Sequence, residues 1–386
     1  MQVVFFKNPC NWYFLIWVIQ IVHDPLGLYG DQASVIVLFS LYVWSLYYFF
    51  VTILSNNNSA FLKYWNIMYV LFMVYGIYEL LVSTSHSRLY VIDHCTSMLP
   101  LYPFYVFSQR GYLSKQIFKF WSLVFIPVAF INFYYGQEMA YQKLLVEQEV
   151  AGVTNNMGYS IALIIPMFYF WKDRPIVQYV GLAVITILTI LALKRGAIML
   201  AGISLVMILL HLRKTNKGSS KFVYVILGLC FILGIGYFIQ KQAASNDYMM
   251  ERYTQTINGD TSERSHIYSD AYNYFFNEMN PFQMLFGIGA NGCVKAIDTE
   301  AHNDWLETLV SMGLLGFFVF FKLWANAYQF YKRIYNPEIK FLFGLVALLL
   351  FIRTFISMSI GDIYLYSTSI LGYCMVNANN QKNEII

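Results

Sequence analysis

Residues 299–318 read TEAHNDWLETLVSMGLLGFF, and they set a histidine and two acids at the start of a long apolar stretch. Apolar runs of about 20 residues, the length that an α-helix needs to cross a bilayer, recur along the whole chain of 386 residues. Hydrophobic residues make up 58% of the chain and charged residues only 12%, about half of the charged fraction of a soluble protein. The sequence therefore predicts an all-α membrane protein, and its net charge of +4 does not indicate a nucleic-acid partner.

Hydropathy predicts twelve transmembrane spans. Their approximate ranges are 11–28, 33–54, 62–83, 89–108, 117–135, 156–171, 175–193, 196–212, 222–240, 303–328, 339–358 and 362–378. The first span is the weakest, because His23, Asp24 and Pro25 interrupt it, and we interpret it as an uncleaved anchor. We expect residues 1–386 to form a single polytopic membrane domain, with contacts to membrane lipids around it.

The distribution of Lys and Arg orients these spans. With the N-terminus inside, fifteen Lys and Arg residues fall in inner segments, and the strongest cluster is HLRKTNKGSSK at 211–221. The short outer loops hold only Arg88, Lys143, Lys194 and Arg195. Because positive charge accumulates on the cytoplasmic side, we expect both termini to be cytoplasmic.

One outer segment, residues 241–301 between spans nine and ten, is about sixty residues long and contains no span. It carries eight acids and four bases, and it is rich in aromatic residues, as in IYSDAYNYFFNEMNPF at 267–282. Aromatic side chains bury enough apolar surface to order a segment that would otherwise be a long loop. We predict one or two helices here, on the outer face of the bundle.

Two patterns that would indicate other chemistry are weak. The five cysteines have no CxxC spacing, so we expect structural thiols without a zinc site or a disulfide framework; they are Cys10, Cys95, Cys230, Cys293 and Cys374. The stretch GIGANG at 287–292 matches the dinucleotide pattern GxGxxG, which needs a preceding strand and a βαβ unit. In a predicted outer loop, the glycines instead indicate a tight turn that leads toward span ten.

Basic residues in two outer segments are candidates for binding an anion. Lys194 and Arg195, in LALKRGAIML at 191–200, open span eight, where free backbone N–H groups and the helix dipole favour negative charge. The alternative is that both contact lipid headgroups. Arg264, in TSERSHIYSDAY at 261–272, is the second candidate, and a solvated salt bridge to Glu263 or Asp260 is its alternative. His266 has no assigned role.

The quoted stretch itself supplies the candidate for acid–base chemistry. Asn303 is expected to cap the helix, and Asp304 lies favourably near its positive end. His302 then lies at the membrane interface beside Trp305, a residue typical of that depth. A purely structural histidine is the alternative.

Further into the same span, Glu307 is not expected to face lipid unpaired, and an ionisable group at this depth is a functional candidate. We expect its partner to be a base that lines the same outer cavity, such as Arg353. Gly313 and Gly316 are expected to let a neighbouring helix approach closely.

Together these features carry a resemblance. An Arg after a mid-chain span, an Arg in one large outer loop, and the pattern HNxxLExxxxxGxxG, here in AHNDWLETLVSMGLLG, follow one another in this order. Over roughly residues 155–378 the chain resembles the O-antigen ligase and O-antigen polymerase superfamily of bacterial membrane glycosyltransferases. One departure is that the first basic motif reads Lys-Arg-Gly where many members have Ser or Thr before Arg.

The resemblance implies a C-type membrane glycosyltransferase of the bacterial inner membrane, with about twelve spans and a large periplasmic loop before the histidine helix. The donor would be a glycan on undecaprenyl diphosphate, and the active site would face the periplasm. Arg195 and Arg264, with Lys194 as an extra contact, would bind the diphosphate. His302 would be the general base, Glu307 would orient the site, and Asn303 and Arg353 would support it. No cofactor or metal is expected, and transfer would invert the anomeric centre.

The acceptor stays open at this stage. A polymerase passes the glycan to a lipid-linked repeat unit, together with a chain-length regulator as a further partner, whereas a ligase passes it to lipid A-core. We favour the polymerase slightly, because each glycan gene cluster tends to need its own. A flippase or other transporter is the alternative from another class, and it predicts ionisable groups at mid-membrane and symmetric halves, neither of which the sequence shows.

Overall fold

The computed structural model describes residues 7–28, 31–55, 59–82, 97–147, 155–215, 237, 264–357 and 365–378. Regular structure in these ranges is helical, without strands, so the predicted all-α class is confirmed for them. The α-helices are α1 Pro9–Leu26, α2 Asp31–Leu54, α3 Ala60–Val82, α4 Leu101–Gln109, α5 Lys115–Glu147, α6 Gly158–Ala162, α7 Pro175–Leu191, α8 Arg195–Thr215, α9 Arg264–Asn273, α10 Pro281–Phe286, α11 Gly292–Ile297, α12 Asp304–Arg333, α13 Pro337–Ile356 and α14 Leu365–Asn377. A 3₁₀ helix covers Ile165–Trp171 and a π-helical turn covers Tyr274–Glu278.

Six of the described helices are long and apolar enough to cross a membrane. They are Gln32–Leu54, Ala60–Glu79, Lys115–Gln142, Arg195–Thr215, Asp304–Arg333 and Pro337–Ile356, and they coincide with predicted spans two, three, five, eight, ten and eleven. Two shorter apolar helices, Gly158–Trp171 and Pro175–Leu191, coincide with spans six and seven. Helices α1, α4 and α14 fall on spans one, four and twelve, whereas span nine lies outside the described residues apart from Tyr237. The count of twelve spans, their orientation and the cytoplasmic termini stay predictions.

The chain forms two compact units. The first comprises residues 1–44, 104–255 and 369–373, and the second comprises 45–103, 256–368 and 374–386. In the first unit, α5 packs against α1 and α7, and aromatic rings fill the contact: Phe14 stacks on Trp121 at 5.1 Å between centroids. The prediction of one polytopic domain stays a prediction.

In the second unit, α12 is the central element. It packs along α3 and against α13, and Trp305 near its start stacks on Phe355 of α13 at 5.5 Å. The short helices α9, α10 and α11 cover the N-terminal half of α12, where Phe275 and Cys293 bury against Val310. The described part of the predicted outer loop therefore contains three α-helices and a π-helical turn, more than the one or two that we expected.

Helix α12 is broken at Gly313, whose φ of 63° and ψ of −164° are not helical. The break is filled by the turn that follows α10: the N–H groups of Ile288 and Gly289 donate to the carbonyls of Val310 and Ser311 at 3.1 and 3.0 Å. A Cβ at Gly313 would lie 2.5 Å from the carbonyl carbon of Leu285. The expected close approach at Gly313 is therefore real, but it is made by the end of the short helix α10 and the turn after it, and not by a neighbouring spanning helix.

Candidate active site

His302 lies two residues before the first residue of α12 and is partly exposed to solvent. Its backbone has a φ of 49°, in the left-handed region, and its side chain is 44% exposed. Nδ1 lies 4.0 Å from Oε2 of Glu300, which is also exposed. An imidazole in this position is accessible to a substrate that approaches the start of α12.

The start of α12 is held as the sequence predicts. Oδ1 of Asn303 accepts hydrogen bonds from the N–H groups of Trp305 and Leu306 at 2.9 and 3.3 Å, so the predicted cap is confirmed. Nε1 of Trp305 donates to Oγ1 of Thr354 at 2.9 Å, which ties the start of α12 to α13. The residue after His302 is therefore fixed by two hydrogen bonds, and this limits how far the imidazole can be displaced.

Glu307 is buried, with 7% of its surface exposed. Oε1 accepts from the Ser311 hydroxyl at 2.7 Å and, over a longer 3.4 Å, from the N–H of Cys293. Oε2 has no hydrogen-bond partner in the described part of the chain, and the predicted pairing with Arg353 is not observed. Because Glu307 bonds to its own helix and to α11, its geometry fits a residue that holds the site in shape.

Arg353 itself has no exposed surface. It lies in the last turn of α13, among the buried polar residues of the second unit. That Arg353 lines an outer cavity together with Glu307 stays a prediction.

Arg264 begins α9 and bonds to the end of α13. Its Nη1 donates to the carbonyl of Ile356 at 2.8 Å, the interaction that a cation at a helix C-terminus favours. This bond uses one N–H of a guanidinium that carries five. The partners of the alternative salt bridges, Asp260 and Glu263, lie outside the described residues.

Lys194 and Arg195 lie in the first unit, at the start of α8, and both are half-buried. Nζ of Lys194 donates to Oδ1 of Asn156 at 2.7 Å and lies 6.0 Å from the ring centroid of Tyr159. Lys194 is thus engaged with its own unit, whereas Arg195 occupies the first turn of a 21-residue helix. That both arginines and His302 share one substrate stays a prediction.

Sequence reasoning missed two contacts that α3 makes with the outer loop. Lys295 of α11 forms a salt bridge with the buried Glu79 of α3, and the Tyr75 hydroxyl donates to the carbonyl of Phe286. A signal existed, because Glu79 is an acid near the end of a predicted span and Lys295 is the one Lys or Arg in residues 265–301. This salt bridge, between two residues 216 positions apart in the sequence, joins α11 to α3.

The described residues of the second unit therefore bring together an exposed imidazole, a capped helix start and a buried carboxylate network. The His302 imidazole can accept a proton from a substrate hydroxyl, while the capped start of α12 fixes the backbone beside it. Within these residues, no group of three or more His, Cys, Asp or Glu side chains is arranged to hold a metal ion.

Part of the chain matches a known protein family. A family model described as O-antigen ligase matches residues 180–321, a segment that includes Lys194, Arg195, Arg264, His302 and Glu307. No curated protein and no solved structure matches the chain. The match to residues 180–321, which ends inside the membrane-capable α12, supports placing the chain in the O-antigen ligase and polymerase superfamily.

Proposed function

We propose that the protein transfers a glycan from undecaprenyl diphosphate to an acceptor sugar hydroxyl at the periplasmic face of the bacterial inner membrane. The observation that carries this proposal is the exposed His302 at the start of α12, inside the segment that matches the O-antigen ligase family. A glycan carried by a membrane lipid requires its reacting group at the bilayer surface, and the start of a spanning helix lies there.

His302 acts as the general base. Its imidazole takes the proton from the acceptor hydroxyl as the oxygen attacks the anomeric carbon, and the bond to the diphosphate breaks on the opposite face. A general base typically contributes about 10²–10⁴ in rate. The products are an inverted glycosidic bond and undecaprenyl diphosphate.

Arg195 and Arg264 bind the leaving diphosphate, with Lys194 as a further contact. Guanidinium groups bind phosphate through pairs of charge-assisted hydrogen bonds, and they stabilise the negative charge that builds up as the bond breaks. The support for Arg264 is its position at the end of α13, where one N–H is already fixed by Ile356. The support for Arg195 is the resemblance and the free N–H groups at the start of α8.

The acceptor divides this proposal into two candidates. We favour a polymerase that extends the glycan on a lipid-linked repeat unit, with a chain-length regulator as a partner. A ligase that transfers the glycan to lipid A-core is the second candidate, and the description of the matching family as O-antigen ligase favours it. A deletion strain separates them: single repeat units on the cell surface indicate a polymerase, whereas long chains stranded on the carrier lipid indicate a ligase.

The test of the shared chemistry is glycan transfer by the purified protein in nanodiscs, with a lipid-linked donor and an acceptor. Arg195→Ala and Arg264→Ala are expected to raise the KM for the donor at least tenfold. Arg213→Ala is the matched control, because Arg213 lies in the last turn of the helix that Arg195 opens. Unchanged donor dependence in both variants would contradict diphosphate binding by these arginines.

A further inference from the structure

A stretch without charge lies in the middle of the segment that hydropathy assigns to an aqueous loop. Residues 279–294 read MNPFQMLFGIGANGCV, and Glu278 and Lys295 are the charged residues that bracket them. These sixteen residues contain α10 and the turn that fills the break in α12. A water-exposed loop of this length usually carries charge, so its absence requires a reason.

The exposed surface of α10 is apolar. Phe282 is 71% exposed, Leu285 46% and Phe286 37%. The two polar side chains near its start are used by the helix itself: Oδ1 of Asn280 accepts from the N–H of Gln283 at 2.9 Å, and Oε1 of Gln283 accepts from the N–H of Asn280 at 3.1 Å. The exposed surface of this helix is therefore formed mainly by large apolar side chains, and the side-chain oxygens of its two polar residues bond to its own backbone.

The depth of α10 follows from its contacts with α12. The turn after α10 is bonded to Val310 and Ser311, and Leu285 lies against Gly313. These three residues of α12 lie six to nine positions past Asp304. At a rise of 1.5 Å per residue, these contacts lie roughly 9–13 Å along the helix from its start. Helix α12 is long and apolar enough to cross a membrane, and if it crosses the bilayer from its Asp304 end, α10 lies beside a part of it that is within the bilayer.

The neighbouring surface of α12 supports this depth. Leu314, Leu315 and Phe318, just past the break, are also exposed, as lipid-facing residues of a spanning helix are. On the other side, Tyr75 of α3 contacts the carbonyl of Phe286 one helical turn before Glu79, toward the middle of that span. Two spanning helices thus give the same depth for α10.

Many backbone groups of this segment are bonded within the protein, as a hydrocarbon environment favours. Asn280 caps the first N–H groups of α10, and the N–H of Gly287 donates to Gln283. The N–H groups of Ile288 and Gly289 donate to carbonyls that the break in α12 leaves open, and Gly292 donates to Oγ of Ser311. The Tyr75 hydroxyl donates a hydrogen bond to the Phe286 carbonyl at the end of α10. Irregular backbone is tolerated at membrane depth when it is bonded in this way.

We propose that residues 279–292 form a re-entrant element, which dips into the bilayer leaflet at the Asp304 end of α12 and contacts lipid acyl chains through Phe282, Leu285 and Phe286. The inference rests on α12 being a membrane span and not on glycosyl transfer. It replaces our expectation that the loop helices lie on the outer face. The element anchors α11 and the His302 segment at the membrane boundary, because the chain returns to the surface between residue 292 and Asp304.

The test measures the environment of α10 directly. Nitroxide labels are attached to Phe282→Cys and Leu285→Cys in a background without native cysteines, in proteoliposomes. Leu314→Cys is the control for lipid, and Asn277→Cys, five residues before Phe282 and exposed, is the control for water. We expect both α10 labels to resemble Leu314→Cys, with O₂ collisions exceeding those with a water-soluble nickel chelate. Labels that resemble Asn277→Cys would overturn the proposal.

A second measurement keeps the native cysteines, in case their removal disturbs the fold. p-Benzoylphenylalanine is incorporated at Phe282, an aromatic replacement for an aromatic residue, and at Asn277. Ultraviolet irradiation in liposomes is expected to crosslink phospholipid to the protein labelled at 282 at least fivefold more than at 277. Equal, low crosslinking at both positions would overturn the proposal whether or not the protein transfers glycans.

Discussion

Nη1 of Arg264 donates a hydrogen bond of 2.8 Å to the carbonyl of Ile356, which joins the first residue of α9 to the last residue of α13. The arginine that the resemblance assigns to the diphosphate therefore also closes a helix end in the second unit. Its substitution should affect both donor binding and stability, and the two effects can be separated.

Arg264→Lys is expected to keep the positive charge at the end of α13 while losing the planar fork that binds phosphate. The KM for the lipid-linked donor should rise at least tenfold, whereas the thermal unfolding midpoint in detergent should fall by no more than a few degrees. Tyr268→Phe is the control, because its hydroxyl makes a weaker contact of 3.4 Å with the neighbouring Phe355 carbonyl. An equal rise in KM for Arg264→Lys and Tyr268→Phe would mean that the loss of donor binding comes from a disturbed end of α13, and it would contradict direct binding of the diphosphate by Arg264.

His302→Asn separates the chemistry of His302 from its backbone role. Asn tolerates the left-handed φ of 49°, so the fold and the unfolding midpoint should be unchanged. The rate of glycan transfer should fall at least 10²-fold, because the proton acceptor is lost. Glu300→Gln should change the rate less than threefold, since its carboxylate is exposed and 4.0 Å away. Wild-type turnover by His302→Asn would exclude His302 as the base.

Ser311→Ala removes a hydroxyl that donates to Glu307 and accepts from the N–H of Gly292. Both partners are buried, so the variant is expected to lose about 1–3 kcal/mol of folding free energy. Ser40→Ala is the matched control, because its hydroxyl makes an exposed bond to Val37 and its removal should cost little. Chemical unfolding of both variants measures the difference, and equal stabilities would show that the buried network contributes nothing.

Gly313→Ala tests the close contact between Gly313 of α12 and the end of α10. The φ of 63° disfavours any residue with a side chain, and the added Cβ would collide with the backbone of Leu285. We expect a loss on the order of 2 kcal/mol or more. Gly202→Ala in α8 has no atom within 4 Å of the added Cβ, and it should be neutral or stabilising. A stable Gly313→Ala protein would mean that the break in α12 is not required.

Cys293 offers a test based on pKa. Burial and the neighbouring Glu307 raise the pKa of this thiol above its ordinary value. It should therefore stay neutral and react slowly with iodoacetamide at pH 8.5, whereas the unfolded thiol should react readily. Because the folded pKa lies above the unfolded one, the stability that this group contributes is fully present below the unfolded pKa and is lost as the pH rises from there through the folded pKa. Peptide mass spectrometry measures labelling, and fast native labelling would contradict the burial.

The parts of the fold that depend on local pattern could be predicted. Long apolar stretches gave the membrane-capable helices, and the side chain of Asn303 before Asp304 gave the cap of α12. In both cases the determining interactions lie within a few residues, where sequence spacing is informative.

The parts that depend on tertiary contact could not. Gly313 was read as a place for a close helix, because nothing in its neighbourhood reveals that Gly287, far back in the chain, inserts beside it. Charge alone predicts Arg353 as the partner of Glu307, whereas in the structure the Ser311 hydroxyl, one turn away on the same helix face, donates to its carboxylate. Opposite charge is a weaker guide to a buried carboxylate than a hydroxyl at i+4.

The interrupted ladder of α12 has a consequence for how relatives of this protein can be recombined. Carbonyls of Val310 and Ser311 are matched to amides of one particular turn, so neither side is complete alone. A chimaera that imports residues 281–292 from another protein would have to import 304–316 with them. Residues 281–292 and 304–316 therefore have to be exchanged together, although they are separate in the sequence.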